Sequence, residues 1–482
     1  MIRFTRASVA GPFFPFISGP ELTMASKRDA AWMAVHHFGL GARPGELKSA
    51  RDDPRGWLAA QLEGPHSGAE AALSKMPSHG VLLAEGAKSR GDKQAHRRWR
   101  RGVLEREVSA RLFVAATTRR PFRERWARFF SNHLCVSATK KPILATVGAY
   151  EREAVRPHDT GRFGQLVRAT TRHPAMLLYL DNQRSTGPDS PLGRRKGLGL
   201  NENLARELLE LHTLGVDGGY GQHDVIALAQ MLTGWTVRLP KDGEDDVLDD
   251  VFVFAPRRHQ PGAKRLLDTA YPLAGVREAE AAIDVLAVHP STARHLSTKL
   301  ARHFVADAPP PEVVALLERA WLDTEGDLKA VGTALVTSDG VWDALARVGP
   351  RKLRTPEELI IAMARSAGVK ASTGAEADWA DRMVKACAWL GQPPLAPPSP
   401  QGWPDEAADW AAPEQVLRRV ELAETVGRRL SREFLPSAEP VAWAREVLGP
   451  SLDADLQQRV ARAPDRATAF ALVLASPAFQ WR

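Results

Sequence analysis

Apolar residues at helical spacing constrain the fold most strongly in the segment 201–235, which combines leucines, acids, amides and glycines. Leu204, Leu208 and Leu211 recur there at i, i+4 and i+7, a spacing that places side chains on one face of an α-helix. An apolar stripe of this kind is typical of a helix that packs against a hydrophobic core. The sequence therefore predicts a helix over residues 202–213 whose leucines face the interior.

The polar residues of the same helix allow two interpretations. Asn203, Glu207 and Glu210 share a second face, and Arg206 lies four residues from Glu210, close enough for an intrahelical ion pair. In the first interpretation these side chains form an ordinary solvated face, which the periodicity alone favours. In the second they turn toward other helices and line a pocket together with His212 at the helix end.

Glycines end this helix and lead into another. Gly215, Gly218 and Gly219 suit a helix C-cap followed by residues of positive φ, and helical spacing resumes over 222–233. The turn lacks the ligand spacing of a calcium loop. Glu210 and His212 are two residues apart, whereas metal ligands on one helix face need a spacing of three or four. The sequence therefore indicates no metal, and no nucleotide motif implies a cofactor.

Helical patterns dominate the rest of the chain. Only residues 235–238 and 251–254 resemble strands, and they predict a small hairpin around an acidic loop. The chain has 482 residues, 44% of them apolar and 25% charged, a composition ordinary for a globular protein. We predict an all-α fold, a large multi-helix orthogonal bundle with one small β-hairpin insertion. Residues 27–482 would form a single large helical domain, with a subdivision near residue 350 as the alternative.

The first 26 residues differ in character from the rest. Arg3 and Arg6 precede an apolar run, as in a signal peptide, but prolines interrupt the run and no clear cleavage site follows. We therefore predict a disordered extension and a cytoplasmic protein, with export as the alternative and either Met1 or Met24 as the start of translation. Since no run of eighteen apolar residues occurs, we predict no transmembrane helix.

Arginine is concentrated in residues 97–128, where Trp99, Phe122 and Trp126 interleave with it. Such mixing occurs on nucleic-acid-binding surfaces, and the formal charge of +8 permits an acidic partner. No nucleic-acid-binding motif accompanies the charges, and a solvated helix whose arginine stems cover apolar surface explains the pattern better. We therefore rank nucleic-acid binding last among three functional hypotheses.

Ordered motifs along nearly the whole chain resemble one bacterial family. NENLARELLELHTLGVDGGY and the following LTGW carry the clearest likeness, and RFFSNHLCVS, RHPAMLLYLDNQRS, PRRHQPGAK, HPSTARHLSTKLARHFVADAPPP and QGWPD occur in the family's order. After about Lys27 the chain is thus similar to the family catalogued as domain of unknown function 1800. That family brings no established activity. Its members often lie beside genes for a sulfatase-like family, which implies a protein partner.

Two functional hypotheses rest on the polar residues around the central helix. In the first, the protein is a binding or accessory protein whose central polar groove holds a ligand or a partner. In the second, it is a hydrolase-type enzyme with a carboxylate base, histidines as acid or base, and Arg206 and Asn203 binding an anionic group. The catalytic candidates are Glu207, Glu210, His212, His133 and His259.

The ligand-binding candidates lie at helix ends, beside the predicted hairpin or on the helix 291–305, where His295, Lys299 and Arg302 form a basic stripe. These candidates are Asn201, Asn203, Arg206, Asn132, Asp181, Asn182, Arg258, Arg302, His303 and Trp235.

Overall fold

The structure is a computed structural model that describes residues 27–66, 68–240, 250–272, 275–349, 352–369 and 376–482. The segment 1–26, which carries the predictions of an extension and of export, lies outside these residues, as does most of the acidic loop of the predicted hairpin. Within the described residues no helix has the length and hydropathy needed to cross a membrane.

Helices account for most of the described residues and confirm the predicted all-α class. The first twelve are α1 (Lys27–Trp32), α2 (Glu46–Ser49), α3 (Pro54–Ala59), α4 (His79–Ser89), α5 (Lys93–Thr117), α6 (Pro121–His133), α7 (Val147–Tyr150), α8 (Phe163–Arg172), α9 (Pro174–Tyr179), α10 (Pro191–Lys196), α11 (Asn203–Glu207) and α12 (Gln222–Leu232). The next twelve are α13 (Val276–Ala287), α14 (Pro290–Phe304), α15 (Pro311–Asp323), α16 (Leu328–Thr337), α17 (Asp339–Val348), α18 (Pro356–Ser366), α19 (Glu376–Trp389), α20 (Pro413–Arg429), α21 (Pro440–Leu448), α22 (Ala454–Ala461), α23 (Arg466–Ala475) and α24 (Pro477–Gln480).

In the part of the chain that the structure describes, two short antiparallel hairpins interrupt the helices. Strands β1 (Trp235–Val237) and β2 (Phe252–Phe254) pair as the sequence predicts. A second hairpin, β3 (Lys264–Leu266) with β4 (Thr269–Tyr271), was not predicted. Its turn contains Leu267 at φ +51°, a conformation that glycine or asparagine usually signals. The Leu267 N–H donates to Asp224 Oδ1 at 2.6 Å, so α12 holds this turn through a long-range contact.

The central helix departs from regular α geometry after Glu207. Residues Leu208–His212 form a π-helical turn, whose i→i+5 hydrogen bonds shift the following side chains around the helix axis. The buried set is therefore Leu204, Leu208 and Leu209, and the predicted inward position of Leu211 is wrong because this residue is partly exposed.

Most of the hydrophobic core of the described residues consists of two clusters of buried side chains, and a small third cluster lies around Leu82 and Val103. The larger one runs through the first three quarters of the chain and includes Trp126 and Phe304 on α6 and α14. The smaller one joins α18, α20 and α23 to the C-terminal half of α5 through Leu112 and Ala115.

Helix α6 is enclosed on nearly every side, which differs from the solvated face predicted for the arginine-rich stretch. Phe122 and Trp126 are fully buried, and Arg123 pairs with Asp159 at 2.6 Å. Glu124 on α6 itself lies 3.4 Å from Arg128, but the other acids that pair with its arginines come from distant parts of the chain, which periodicity does not reveal. Of the predicted basic surface, Arg97, Arg98, Arg101 and Arg106 on α5 and Arg119 just after it are exposed.

Candidate functional site

A cavity of about 520 Å³ lies where α6 ends, between the C-terminal half of α14, the loop 393–409 and the start of α18. We call it the central cavity, and its polar lining includes Asn132, His133, Cys135, Lys299, Arg302, His303, Glu357, Glu358 and Asp405. The volume falls within the range of roughly 300–1,000 Å³ that is usual for small-molecule sites.

Asn132, near the end of α6, fixes one wall of the central cavity. Its Nδ2 donates to Trp403 O at 2.9 Å, and its Oδ1 accepts from Trp403 N at 2.8 Å. Gly402 has φ +86°, and a Cβ there would lie 2.5 Å from the Asn132 carbonyl oxygen. The loop can therefore approach α6 this closely only because residue 402 is glycine.

Residues just after α6 hold the proline-rich part of the same loop. Ser137 Oγ donates to Pro397 O at 2.7 Å, and Cys135 Sγ lies 3.3 Å from Pro400 O. Burial raises the pKa of Cys135 to about 12, so this residue is a neutral thiol. Cys135 and Cys387 are both free and buried.

Lys299 on α14 meets His133 at the floor of the central cavity. Lys299 Nζ donates to His133 Nδ1 at 3.0 Å, and His133 Nε2 lies 3.1 Å from His212 O. A carbonyl oxygen only accepts, so Nε2 carries the proton and Nδ1 keeps its lone pair toward Lys299. His133 is therefore held as one neutral tautomer.

Burial and mutual electrostatic repulsion disfavour positive charge on the group formed by Lys299, His133 and His212. Burial, followed by Lys299 and neighbouring histidines, holds the pKa of His133 well below its ordinary value. Burial, then Lys299 and His295, lower the pKa of His212 to about 3. Burial also lowers the pKa of Lys299 to about 8, although Cys135 and Asp405 act in the opposite direction. Lys299 thus carries the charge of the group at neutral pH.

His303 and Asp405 form a second pair on the central cavity wall. His303 Nδ1 lies 2.8 Å from Asp405 Oδ2, and Arg125 Nε donates to His303 Nε2 at 3.1 Å. Because Nε2 accepts, the proton of the neutral ring is on Nδ1. Burial lowers the pKa of His303 to about 4. Burial acts to raise the pKa of Asp405, but His303 and Lys352 together lower it to about 2. This histidine is neutral and this aspartate ionised at neutral pH.

The arginines that line the central cavity all have acidic partners. Arg111 and Arg128 share Glu357, at 2.6 and 2.5 Å, and Arg125 lies 3.4 Å from Glu358. These two acids begin α18. At the more exposed rim, Arg302 Nε lies 3.4 Å from Glu406 Oε1. The arginine charges are therefore balanced within the protein.

Four of the predicted site residues line the central cavity, namely Asn132, His133, Arg302 and His303. His212 lies directly behind His133, and the His212 carbonyl oxygen contacts the ring of His133. Four residues proposed from the sequence thus lie together around one cavity, and their role in function stays a prediction.

The polar face of the central helix lies elsewhere. Arg206 pairs with Glu202 at 2.9 Å and Asn203 is exposed. Glu207 and Glu210 are partly buried but are not among the residues that line the central cavity. Burial, then Glu210, raises the pKa of Glu207. This arrangement resembles the first interpretation, a face bonded mainly to its own neighbours.

Other predicted residues connect segments around the first hairpin. Asn182 Nδ2 donates to the carbonyls of Leu232 and Trp235 at 3.2 and 3.0 Å, and Trp235 is fully buried. His259 lies 2.9 Å from Thr233 O through Nδ1. None of these three candidates lines the central cavity described here.

The remaining candidates have local partners as well. Arg258 donates to Gln183 O at 2.6 Å, and Asp181 pairs with Lys140 at 2.7 Å. Asn201 Oδ1 accepts from the backbone N–H of Asn203 at 3.0 Å, a local contact at the start of α11. These side chains stabilise turns around α9 and α11.

Sequence reasoning missed Lys299, Asp405 and Glu357 as site residues. Lys299 was recognised only as part of a basic stripe on α14. The acids belong to segments more than 50 residues further along the chain, and no local pattern connects them with α6. In the described part of the chain, no group of three or more His, Cys, Asp or Glu is placed to hold a metal ion.

Fold and site together define an all-α protein with a polar central cavity of small-molecule size. The chain belongs to the family described as "Protein of unknown function (DUF1800)", whose model matches residues 33–481. This match confirms the resemblance found in the sequence. Comparison with curated proteins and with solved structures gave no match.

Proposed function

We propose that the protein is a binding protein whose central cavity takes a small organic anion, with Lys299 holding the negative charge. The observation that supports this proposal is the state of Lys299. It lines the cavity, and among the described residues no carboxylate lies within ion-pair distance of its Nζ. Its recorded partner is the neutral ring of His133.

The other cations on the cavity wall provide the contrast. Arg111, Arg125, Arg128 and Arg302 each have a carboxylate within 4 Å in the described structure. A partly buried ammonium without a counter-ion destabilises the folded protein. The same loss of hydration lowers the pKa of Lys299. A bound carboxylate would supply the missing charge. An ionised hydrogen bond of this kind contributes about 1.5–3 kcal/mol.

The test is calorimetric titration at pH 7 with oxalate, malonate and succinate, using malonamide as an uncharged control. We expect at least one dicarboxylate to bind, and Lys299→Gln to weaken its binding by roughly tenfold to a hundredfold, as the loss of one charged hydrogen bond predicts. The matched control is Lys140→Gln, because Lys140 pairs with Asp181 away from the central cavity.

Two outcomes would contradict the proposal. One is that no dicarboxylate binds the native protein. The other is that Lys299→Gln and Lys140→Gln bind it equally well.

The family resemblance adds a protein partner of the sulfatase-like class to this proposal. A partner that delivers or receives the anion would contact the rim, where Arg302 and Glu406 are partly exposed. Co-purification of the native protein with the neighbouring gene product tests this part. Loss of the complex in an Arg302→Ala, Glu406→Ala variant would support a rim contact, and an unaffected complex would contradict it.

The hydrolase hypothesis gains no comparable support. Its proposed bases, Glu207 and Glu210, do not line the central cavity, and Arg206 is bonded to Glu202. A catalytic pair built on them would need a second site.

A further inference from the structure

We infer that Lys299 is a nucleophilic amine that forms an imine with the carbonyl group of a small oxo acid bound in the central cavity. This inference rests on the proposed function and narrows the ligand class from organic anions to those that also carry an aldehyde or ketone. It follows from the hydrogen bonding of Lys299 and from the charges that face it.

The hydrogen-bond geometry suits a neutral amine as well as an ammonium. Since His133 Nε2–H is committed to His212 O, the lone pair on His133 Nδ1 is always available to one N–H of Lys299 at 3.0 Å. A neutral amine can donate that hydrogen and keep its own lone pair for an electrophile. A lysine held by a carboxylate lacks this freedom, because the ion pair favours the protonated form.

The groups that face Lys299 come from four segments of the chain. His133 and Cys135 lie at and just after the end of α6, Asp405 lies on the loop, and Arg302 is one turn further along α14. His295 and His212, whose pKa values are lowered by Lys299, complete the surroundings. At neutral pH the histidines and the thiol are uncharged, so Asp405 is the one group of this set that favours the ammonium, and burial outweighs it.

The consequence for reactivity is large. Burial lowers the pKa of Lys299 to about 8. Compared with a lysine of ordinary pKa, about 10.4, this gives roughly two hundred times more neutral amine at pH 7. Schiff-base lysines in proteins are activated by desolvation in the same way.

Arg302 can hold the carboxylate of the oxo acid. It lies three residues after Lys299, which places both side chains on one face of α14, and both line the central cavity. Its interaction with Glu406, at 3.4 Å and partly exposed, is weak enough to be exchanged for a ligand carboxylate. A two-carbon to four-carbon oxo acid would then present its carbonyl to Nζ.

The reaction balances without a further reagent. Neutral Nζ attacks the carbonyl carbon and forms a carbinolamine, both Nζ hydrogens leave with the former carbonyl oxygen as water, and a C=N bond remains. No oxidant or reductant is consumed. Hydrolysis reverses the reaction, so the imine must be reduced to be observed.

The test uses the native protein with glyoxylate and sodium cyanoborohydride at pH 7, followed by peptide mapping by mass spectrometry. Reduction of the imine leaves a carboxymethyl group on the modified lysine. We expect Lys299 to be labelled at least tenfold faster than Lys140, which is paired with Asp181 and serves as an internal reference in the same digest. An excess of succinate should slow the labelling of Lys299 alone.

Labelling of Lys299 no faster than that of Lys140 overturns the inference. If dicarboxylates still bind and depend on Lys299 in the calorimetric titration, the proposed function stands and only the imine chemistry is refuted. If neither binding nor labelling depends on Lys299, both proposals are refuted. Because the labelling compares two lysines of the native chain, it does not depend on the folding of a variant.

Discussion

The cost of the uncompensated charge on Lys299 predicts how the stability of the protein depends on alkaline pH. The folded-state pKa of Lys299 is lowered from 10.5 to about 8. At about 1.4 kcal/mol for each pKa unit, this lowering corresponds to roughly 3 kcal/mol. Because Lys299 is only partly buried and lines the cavity, solvent screens part of the charge, so we expect about 2 kcal/mol.

The direction in which stability changes with pH follows from the number of protons bound in each state. Between pH 8 and 10.5 the unfolded chain keeps a proton at residue 299 that the folded protein has lost. Stability therefore rises with pH across this window, and the penalty is fully present below pH 8. In Lys299→Met the penalty is absent at every pH, although His133 Nδ1 loses its donor at a cost of about 1 kcal/mol that does not vary with pH.

The assay is urea unfolding of the native protein and of Lys299→Met, followed by circular dichroism at several values from pH 7.5 to 10.5. We expect the native protein to gain about 2 kcal/mol relative to the variant as the pH rises through this window. Adding a binding dicarboxylate at pH 7.5 should stabilise the native protein and leave the variant unchanged. A difference between the two proteins that stays constant with pH would refute the reasoning.

Two further predictions concern the wall of the central cavity. Gly402→Ala should destabilise the protein by about 2–3 kcal/mol in thermal unfolding, because a Cβ there meets a carbonyl oxygen of α6 at 2.5 Å. The control Gly262→Ala, at φ +89° in open space, should cost only about 1 kcal/mol. Equal losses of stability in the two variants would contradict the close approach of the loop to α6. Acidification from pH 6.5 to 4.5 should destabilise the fold steeply. In the folded protein the pKa values of His212, His295 and His303 are lowered to about 3, 4 and 4, so these histidines stay neutral over this range. The same histidines bind protons in the unfolded chain, which favours unfolding as the pH falls. Unchanged urea midpoints over this range would show that these histidines are not buried as described.

The fold class was accessible from the sequence because helical periodicity is a local property. Leucine spacing located α11 and α12, and alternation located the first hairpin. The second hairpin was missed since Leu267 occupies a turn position without a turn residue, and its conformation depends on Asp224. The prediction that Leu211 faces inward was wrong because helical periodicity assumes a regular α-helix, whereas residues Leu208–His212 form a π-helical turn.

The sequence suggested only the residues on one side of the candidate site, because the other side comes from segments far away in sequence. Asn132 and His133 stand out in the sequence as polar residues at a helix end, and Arg302 and His303 as part of a basic helix face. Whether such a face is solvated or enclosed depends on segments far away in sequence, here the loop 393–409 and the start of α18. The significance of Lys299 lies in the lack of an acidic partner among the described residues, which only coordinates reveal.

A crystal structure of the protein grown with a saturating dicarboxylate such as oxalate would test the central claim most directly. The account predicts electron density for the anion in the central cavity, with a carboxylate oxygen within hydrogen-bond distance of Lys299 Nζ. Oxalate bound at another place, or a carboxylate of the chain itself in contact with Lys299, would contradict it.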